Sequence, residues 1–206
     1  MNRPAHILIA GASLLAAVPL PAQTPAASLP REQWGAPAVK VSQAEGRWIL
    51  AGKKQTVILN ASGLALEVRA GSALWKMVPS RANDLRVRSA GQELSLRLAD
   101  ARKIEITPYD TGFKTGVRIE LADWPARGNL AALKLHLAVC LEGAEEELVF
   151  DAAAEEPNAT VRQLDWPAAL DARDVDCTLL SNGKGNLLPR DWPKEYSANS
   201  VSISAT

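Results

Sequence analysis

The sequence predicts an all-β fold, a two-sheet antiparallel β-sandwich of about a dozen strands. Three observations predict it. Short runs of alternating apolar and polar residues fill the chain from Val39 onward, turn residues break those runs at short intervals, and no strand-like run alternates with a helix-like one. A period of two marks strands with one face buried and the other solvated, which is the signature of antiparallel sheets. The missing βα units speak against a Rossmann fold or a (β/α) barrel within this chain.

The first segment is of a different kind. Residues 1–6 carry one fixed positive charge, Arg3, and residues 7–18 are apolar or small and uncharged. Pro19 and Pro21 then end the run, and Ala22 offers a small residue before a cut at Gln23. That order predicts a cleavable signal peptide over 1–22 and export to the periplasm or the extracellular space. A membrane anchor is the competing reading, but spanning a bilayer takes roughly 20 apolar residues. Residues 23–37 contain Pro25, Pro30 and Pro37 without an apolar period, as a flexible leader would. The sandwich domain is expected over 38–196, with an unstructured tail over 197–206. That tail shows neither a barrel strand nor a closing cap. The expectation is a stand-alone sandwich with a loose tail or, preferably, a truncated product of a longer gene.

Within the domain, Arg47-Trp48-Ile49-Leu50-Ala51 and Gln55-Thr56-Val57-Ile58-Leu59 flank Gly52-Lys53-Lys54 as a hairpin. Leu64, Leu66 and Val68 alternate with polar or small residues, and Gly71-Ser72 turns the chain into residues 73–78. Leu85-Arg86-Val87-Arg88 and residues 94–98 flank Ala90-Gly91-Gln92. Residues 103–107 form a strand that stops at Pro108, and residues 117–121 form the next. The cleanest strand is 133–141, with Leu133, Leu135, Leu137, Val139 and Leu141 on one face and Lys134, His136, Ala138, Cys140 and Glu142 on the other. Residues 148–150, 161–164 and 175–180 complete the set. Helical signal is confined to one or two turns over 167–174, behind Pro167.

Composition narrows function. Basic and acidic residues number 23 each, and loss of Arg3 with the signal leaves one acid in excess. Because the charges are interspersed, no nucleic acid and no anionic membrane surface is implied as partner. Cys140 and Cys177 are too few for a disulfide scaffold; they form one bridge or, the favoured reading, stay unpaired as small fillers. Only His6 and His136 exist, and His6 leaves with the signal, so a Ser-His-Asp or Cys-His site would rest on His136 alone. A strand histidine at a surface or between sheets is the better reading. No metal site is expected, since His136, Cys140 and Cys177 lack zinc-ligand spacing, and no cofactor motif is found. Gly46, Gly52 and Lys53 superficially suggest a phosphate loop, but the spacing is wrong, Lys54 stands where Ser or Thr belongs, and the segment lies between strands. Glu145-Glu146-Glu147 reads as a solvated turn. Asn60-Ala61-Ser62 and Asn158-Ala159-Thr160 fit the N-glycosylation pattern, which is short enough to occur by chance.

Tryptophan is the distinctive residue: six of the ten aromatics are Trp. Three recur in one tripeptide, as Asp123-Trp124-Pro125, Asp165-Trp166-Pro167 and Asp191-Trp192-Pro193. Proline extends the residue before it and cannot continue a central strand, so these mark strand ends. Trp124, Trp166 and Trp192 are therefore candidate platforms for stacking on sugar rings. The competing and favoured role for each is to cap the sandwich with a large buried ring.

The carboxy-terminal third carries a resemblance. Leu164-Asp165-Trp166-Pro167-Ala168-Ala169-Leu170, Asp176-Cys177-Thr178-Leu179-Leu180 and Gly185-Asn186-Leu187-Leu188-Pro189 resemble the run "strand, L-x-Y/W-P, acidic turn, strand, small loop, G-x-L-x-P". That run belongs to the N-terminal β-supersandwich module, of galactose-mutarotase type, in large glycoside hydrolases of the endo-α-N-acetylgalactosaminidase-like group. The resemblance covers residues 160–193, and 39–151 as general texture. It implies a supersandwich placed before a catalytic barrel, with the catalytic carboxylates on the barrel and no catalytic residue carried by this chain. The mutarotase fold also implies a His/Glu epimerase site, which a lone His136 does not support. The expected function is thus an exported, non-catalytic module of a carbohydrate-active enzyme, with carbohydrate or a catalytic barrel domain as partner. The alternatives are an envelope scaffold that binds a protein and a small carboxylate-dependent enzyme.

Overall fold

The computed structural model describes residues 30–125, 130–168, 170–171, 175–180 and 186–191. The segments expected as signal peptide and tail, and Trp192, lie outside them. A 3-10 turn, Arg31–Trp34, falls within the segment read as a leader and precedes the strands. Five strands follow as a meander: β1 (Lys40–Ala44), β2 (Arg47–Ala51), β3 (Gln55–Asn60), β4 (Leu66–Ala70) and β5 (Ala73–Met77). They form one antiparallel sheet in sequence order. After β6 (Leu85–Ser89) and β7 (Gln92–Leu96) come a second 3-10 turn, Leu98–Asp100, and four long strands. These are β8 (Lys103–Asp110), β9 (Lys114–Ala122), β10 (Lys134–Glu142) and β11 (Glu147–Glu155), an antiparallel sheet ordered β11-β10-β9-β8. β12 (Thr160–Leu164) returns to pair with β6, and β13 (Cys177–Leu180) pairs with β14 (Asn186–Pro189).

The protein is an all-β, antiparallel sandwich. Its hydrogen bonding is divided more finely than two sheets, into sets of five, four, three and two strands. A single apolar core joins the three larger sets. Leu50, Val57 and Leu59 enter it from β2 and β3, Leu85 and Val87 from β6, and Val117, Ile119, Leu135 and Leu137 from β9 and β10. In β10 the odd-numbered leucines and Val139 are all buried, as the alternation requires. Ala138 and Cys140 are buried too, although they point to the other face.

Three local expectations change. The strand read as stopping at Pro108 continues to Asp110; β8 is an edge strand, where a proline costs no inner ladder bond. The expected helical turns over 167–174 fall partly outside the described residues, and Leu170 instead bridges Met77 of β5. Glu146, read as part of a solvated charge run, is 2% exposed. Its carboxylate accepts from the backbone N–H groups of Lys53 (2.7 Å) and Lys54 (2.8 Å), and its carbonyl accepts from the Gln55 side chain. The β10–β11 turn therefore clasps the β2–β3 turn. Gly52 is needed for this clasp, because a Cβ there would overlap the carboxylate. The amides that superficially suggested a phosphate loop hold the chain's own acid.

Candidate functional site

The outward face of the four-stranded sheet carries a set of paired charges among the described residues. Register builds it row by row. Tyr109, Gly116, Cys140 and Val149 lie side by side across β8, β9, β10 and β11; Thr107, Arg118, Ala138 and Asp151 form the next row, and Glu105, Glu120, His136 and Ala153 the third. Gly116, Cys140, Ala138 and Ala153 are thus a contiguous block of small residues. Tyr109, Arg118, His136 and Asp151 line a groove of about 280 Å³ together with Ala138 and Ala153 of that block, whereas Gly116 and Cys140 are buried outside it. Gly116 cannot be larger: a Cβ would overlap the Val139 carbonyl.

The charges on this face are ordered by pairing. Lys103 reaches Glu120 (2.8 Å) and Glu105 (3.2 Å), Lys114 reaches Asp151 (3.1 Å) and Glu142 (3.4 Å), and Lys134 reaches Glu155 (3.1 Å). The hydrogen bond from Lys103 holds the Glu120 carboxyl below its ordinary range, and the same carboxylate raises Lys103. Asp151 likewise raises Lys114. Glu155 is held low first by His136 and then by Lys134. Burial pushes the Cys140 thiol up to about 11, so it stays a thiol.

Arg118 differs from these lysines. No carboxylate lies within ion-pair distance of it among the described residues; its Nη2 contacts His136 Nδ1 at 3.2 Å. A guanidinium can only donate, so Nδ1 accepts and the imidazole proton sits on Nε2, which donates to Glu155 at 2.7 Å. Both ring nitrogens are occupied, leaving none to activate a nucleophile. The chemistry available here is recognition by fixed donors and acceptors. Among the described residues no group of three or more His, Cys, Asp or Glu is placed to hold a metal ion, and no helix is long and apolar enough to cross a membrane.

The tryptophan candidates fall elsewhere. Trp124 is 2% exposed and its indole N–H donates to the Leu133 carbonyl at 3.1 Å, so it offers no face to a sugar ring. Trp166 is half-buried and meets Phe150 edge-on at 5.5 Å; its N–H is buried with no partner among the described residues. Trp192 lies outside the described residues. The structure does not bring Trp124 and Trp166 onto the polar face. Sequence reasoning placed His136 on the face opposite the leucine row, at a surface or between sheets, but missed Arg118 and Asp151, since only cross-strand register unites them. A wider cleft of about 670 Å³ lies beside Trp48, Asn60 and Ile104. Three of its acceptors are committed, Glu45 to Arg47, Glu105 to Lys103 and Asn60 to its own turn, and the Gln43 amide also lines it.

Neither a protein-family model nor a curated protein matches the sequence. The fold does have solved counterparts. The chain is similar to the α-N-acetylgalactosaminidase NagBb from Bifidobacterium bifidum in its complex with Gal-NHAc-DNJ, with a TM-score of 0.51 and 17% identity over 75% of this chain and 23% of that one. The GalNAc complex of NagBb gives a TM-score of 0.51 at 16% identity, over 75% and 22%. The chain therefore shares its β-sandwich fold with part of a glycoside hydrolase and spans less than a quarter of that enzyme's length.

Proposed function

We propose that this chain acts as an exported, non-catalytic β-sandwich module of a glycoside hydrolase, supporting a catalytic domain or contacting glycan. The observation that carries the proposal is the correspondence of three-quarters of the chain with under a quarter of NagBb. The absence of a free ring nitrogen on His136 and the lysine pairing of Glu120 and Glu155 fit a module whose chemistry resides on another domain. Leu179 and Leu187, opposite each other across β13 and β14 and 70% and 60% exposed, fit a surface covered by a partner domain. The same pair suits an envelope protein, which is the second reading.

Two measurements test the proposal. The nucleotide sequence adjoining the coding region should encode a glycosidase barrel with paired carboxylates. Aryl glycosides, including the α-N-acetylgalactosaminide, should remain intact with the purified chain. Turnover that disappears in Glu120→Gln or Glu155→Gln would make the chain an enzyme in its own right.

A further inference from the structure

We infer that the outer face of the β8–β11 sheet is a binding site for a neutral pyranose sugar, seated on Ala138 and Ala153 and held between Arg118 and Asp151. This rests on the module reading above and assigns it a ligand and a place.

The geometry begins with the row Thr107, Arg118, Ala138, Asp151. Arg118 and Asp151 flank Ala138 from the strands on either side of β10. Strands two apart lie roughly 9–10 Å from each other, and between these two there is only a methyl group. The adjacent row extends that floor with Ala153, while Gly116 and Cys140 on the other side are buried and lie outside the groove's lining. The depression is shallow and floored by small groups, with the Arg118 donor on one wall and Asp151 on the other. The Asp151 carboxylate is held by Lys114 at 3.1 Å and keeps acceptor capacity beyond that ion pair. Vicinal sugar hydroxyls, each both donor and acceptor, match such a pair of walls. Tyr109, half-buried at the head of the groove, supplies an aromatic ring for the C–H face of a sugar.

Arg118 is the reason to expect a ligand at all. Lys103, Lys114 and Lys134 each have a carboxylate, whereas the guanidinium of Arg118 spends one nitrogen on His136 and presents the rest of its fork to the groove. His136, itself fixed by Glu155, holds the guanidinium in place, so little side-chain entropy is lost when a ligand binds. Charge selects among sugars. Acidic side chains outnumber basic ones on this face, which disfavours uronic and sialic acids and leaves neutral sugars.

The test uses the purified full chain with galactose, N-acetylgalactosamine, glucose and mannose as neutral probes, and glucuronate and N-acetylneuraminate as anionic ones. Saturation-transfer NMR detects binding and calorimetry measures it. At least one neutral sugar should bind. Arg118→Gln and Ala153→Phe, both at exposed positions, should each weaken that binding at least tenfold while leaving circular dichroism and melting unchanged. Binding of anionic sugars only, absence of binding by every neutral sugar, or undiminished binding in both variants overturns the site. If the adjoining barrel is found despite any of these outcomes, the module reading stands and the sugar site alone is lost. If the chain itself cleaves glycosides, it is the module reading that fails.

Discussion

Glu146 shows how much one side chain can carry in this fold. The β2–β3 turn ends with two N–H groups aimed at the neighbouring hairpin, and a carboxylate meets both. Removing it in Glu146→Ala leaves two donors short of acceptors, at a cost of about 1–3 kcal/mol for a buried unsatisfied group. Urea denaturation should show that loss as a lower midpoint with an unchanged slope. Gly52→Ala should also destabilise, because its Cβ occupies the space of the carboxylate, and Glu146→Gln should lose less than Glu146→Ala. A midpoint unmoved in Glu146→Ala would mean that water replaces the carboxylate without penalty. None of this was legible in the sequence, since Glu145, Glu146 and Glu147 look alike until the turn around Gly52 arrives from ninety residues upstream. His136 was half legible: alternation put it on the face opposite the leucine row, but whether that face was outer, and which strands supply its partners, came only from the pairing of other strands.

At the scale of elements, the strands that bury a clean row of Leu, Ile or Val were readable. The misses have physical causes. β11 runs to Glu155 through Asp151-Ala152-Ala153-Ala154, residues with low strand propensity that the ladder with β10 nevertheless holds extended. β14 was not recognised as a strand because Leu187 and Leu188 are adjacent and show no alternation. The Arg31–Trp34 turn is too short and proline-flanked to signal itself, and it is held from a distance. Arg31 forms a two-pronged contact with Asp110, with the second prong at 2.9 Å, and also donates to Thr115 at 3.1 Å. This places Trp34 over Gly112, where a Cβ would come within 2.7 Å of the indole. The Arg31 hydrogen bond is the largest cause holding the Asp110 carboxyl below its ordinary 3.8. A depressed carboxylate contributes fully above that ordinary value, and its contribution is lost as the pH falls through the lowered one. Trp34 emission, obtained as the difference from Trp34→Phe, should therefore shift to the red only in strong acid. In Asp110→Asn the shift should already be present at neutral pH. Identical spectra for Asp110→Asn and the parent would show that the ion pair does not seat the turn.

The whole molecule has one core fed by three of its sheets, so it should open as one unit, and its two thiols report on that. Cys140 is fully buried in β10, while Cys177 is exposed on β13. A disulfide reagent at neutral pH should modify Cys177 at once and Cys140 only through opening of the sandwich, because a buried, protonated thiol is a poor nucleophile. Leu137 lies in the same strand, on the opposite face, at 1% exposure. Leu137→Ala should cost about 2–5 kcal/mol, and at 1.4 kcal/mol per factor of ten that corresponds to roughly one and a half to three and a half orders of magnitude faster labelling of Cys140. Labelling of Cys177 should not change. If Cys140 were reached by fraying of β11, an edge strand, its rate would ignore Leu137→Ala and respond instead to changes at the β10–β11 turn, and the sandwich would not be one cooperative unit. A common response at Cys140, in far-ultraviolet circular dichroism and in tryptophan emission would establish that the three sheets stand or fall together.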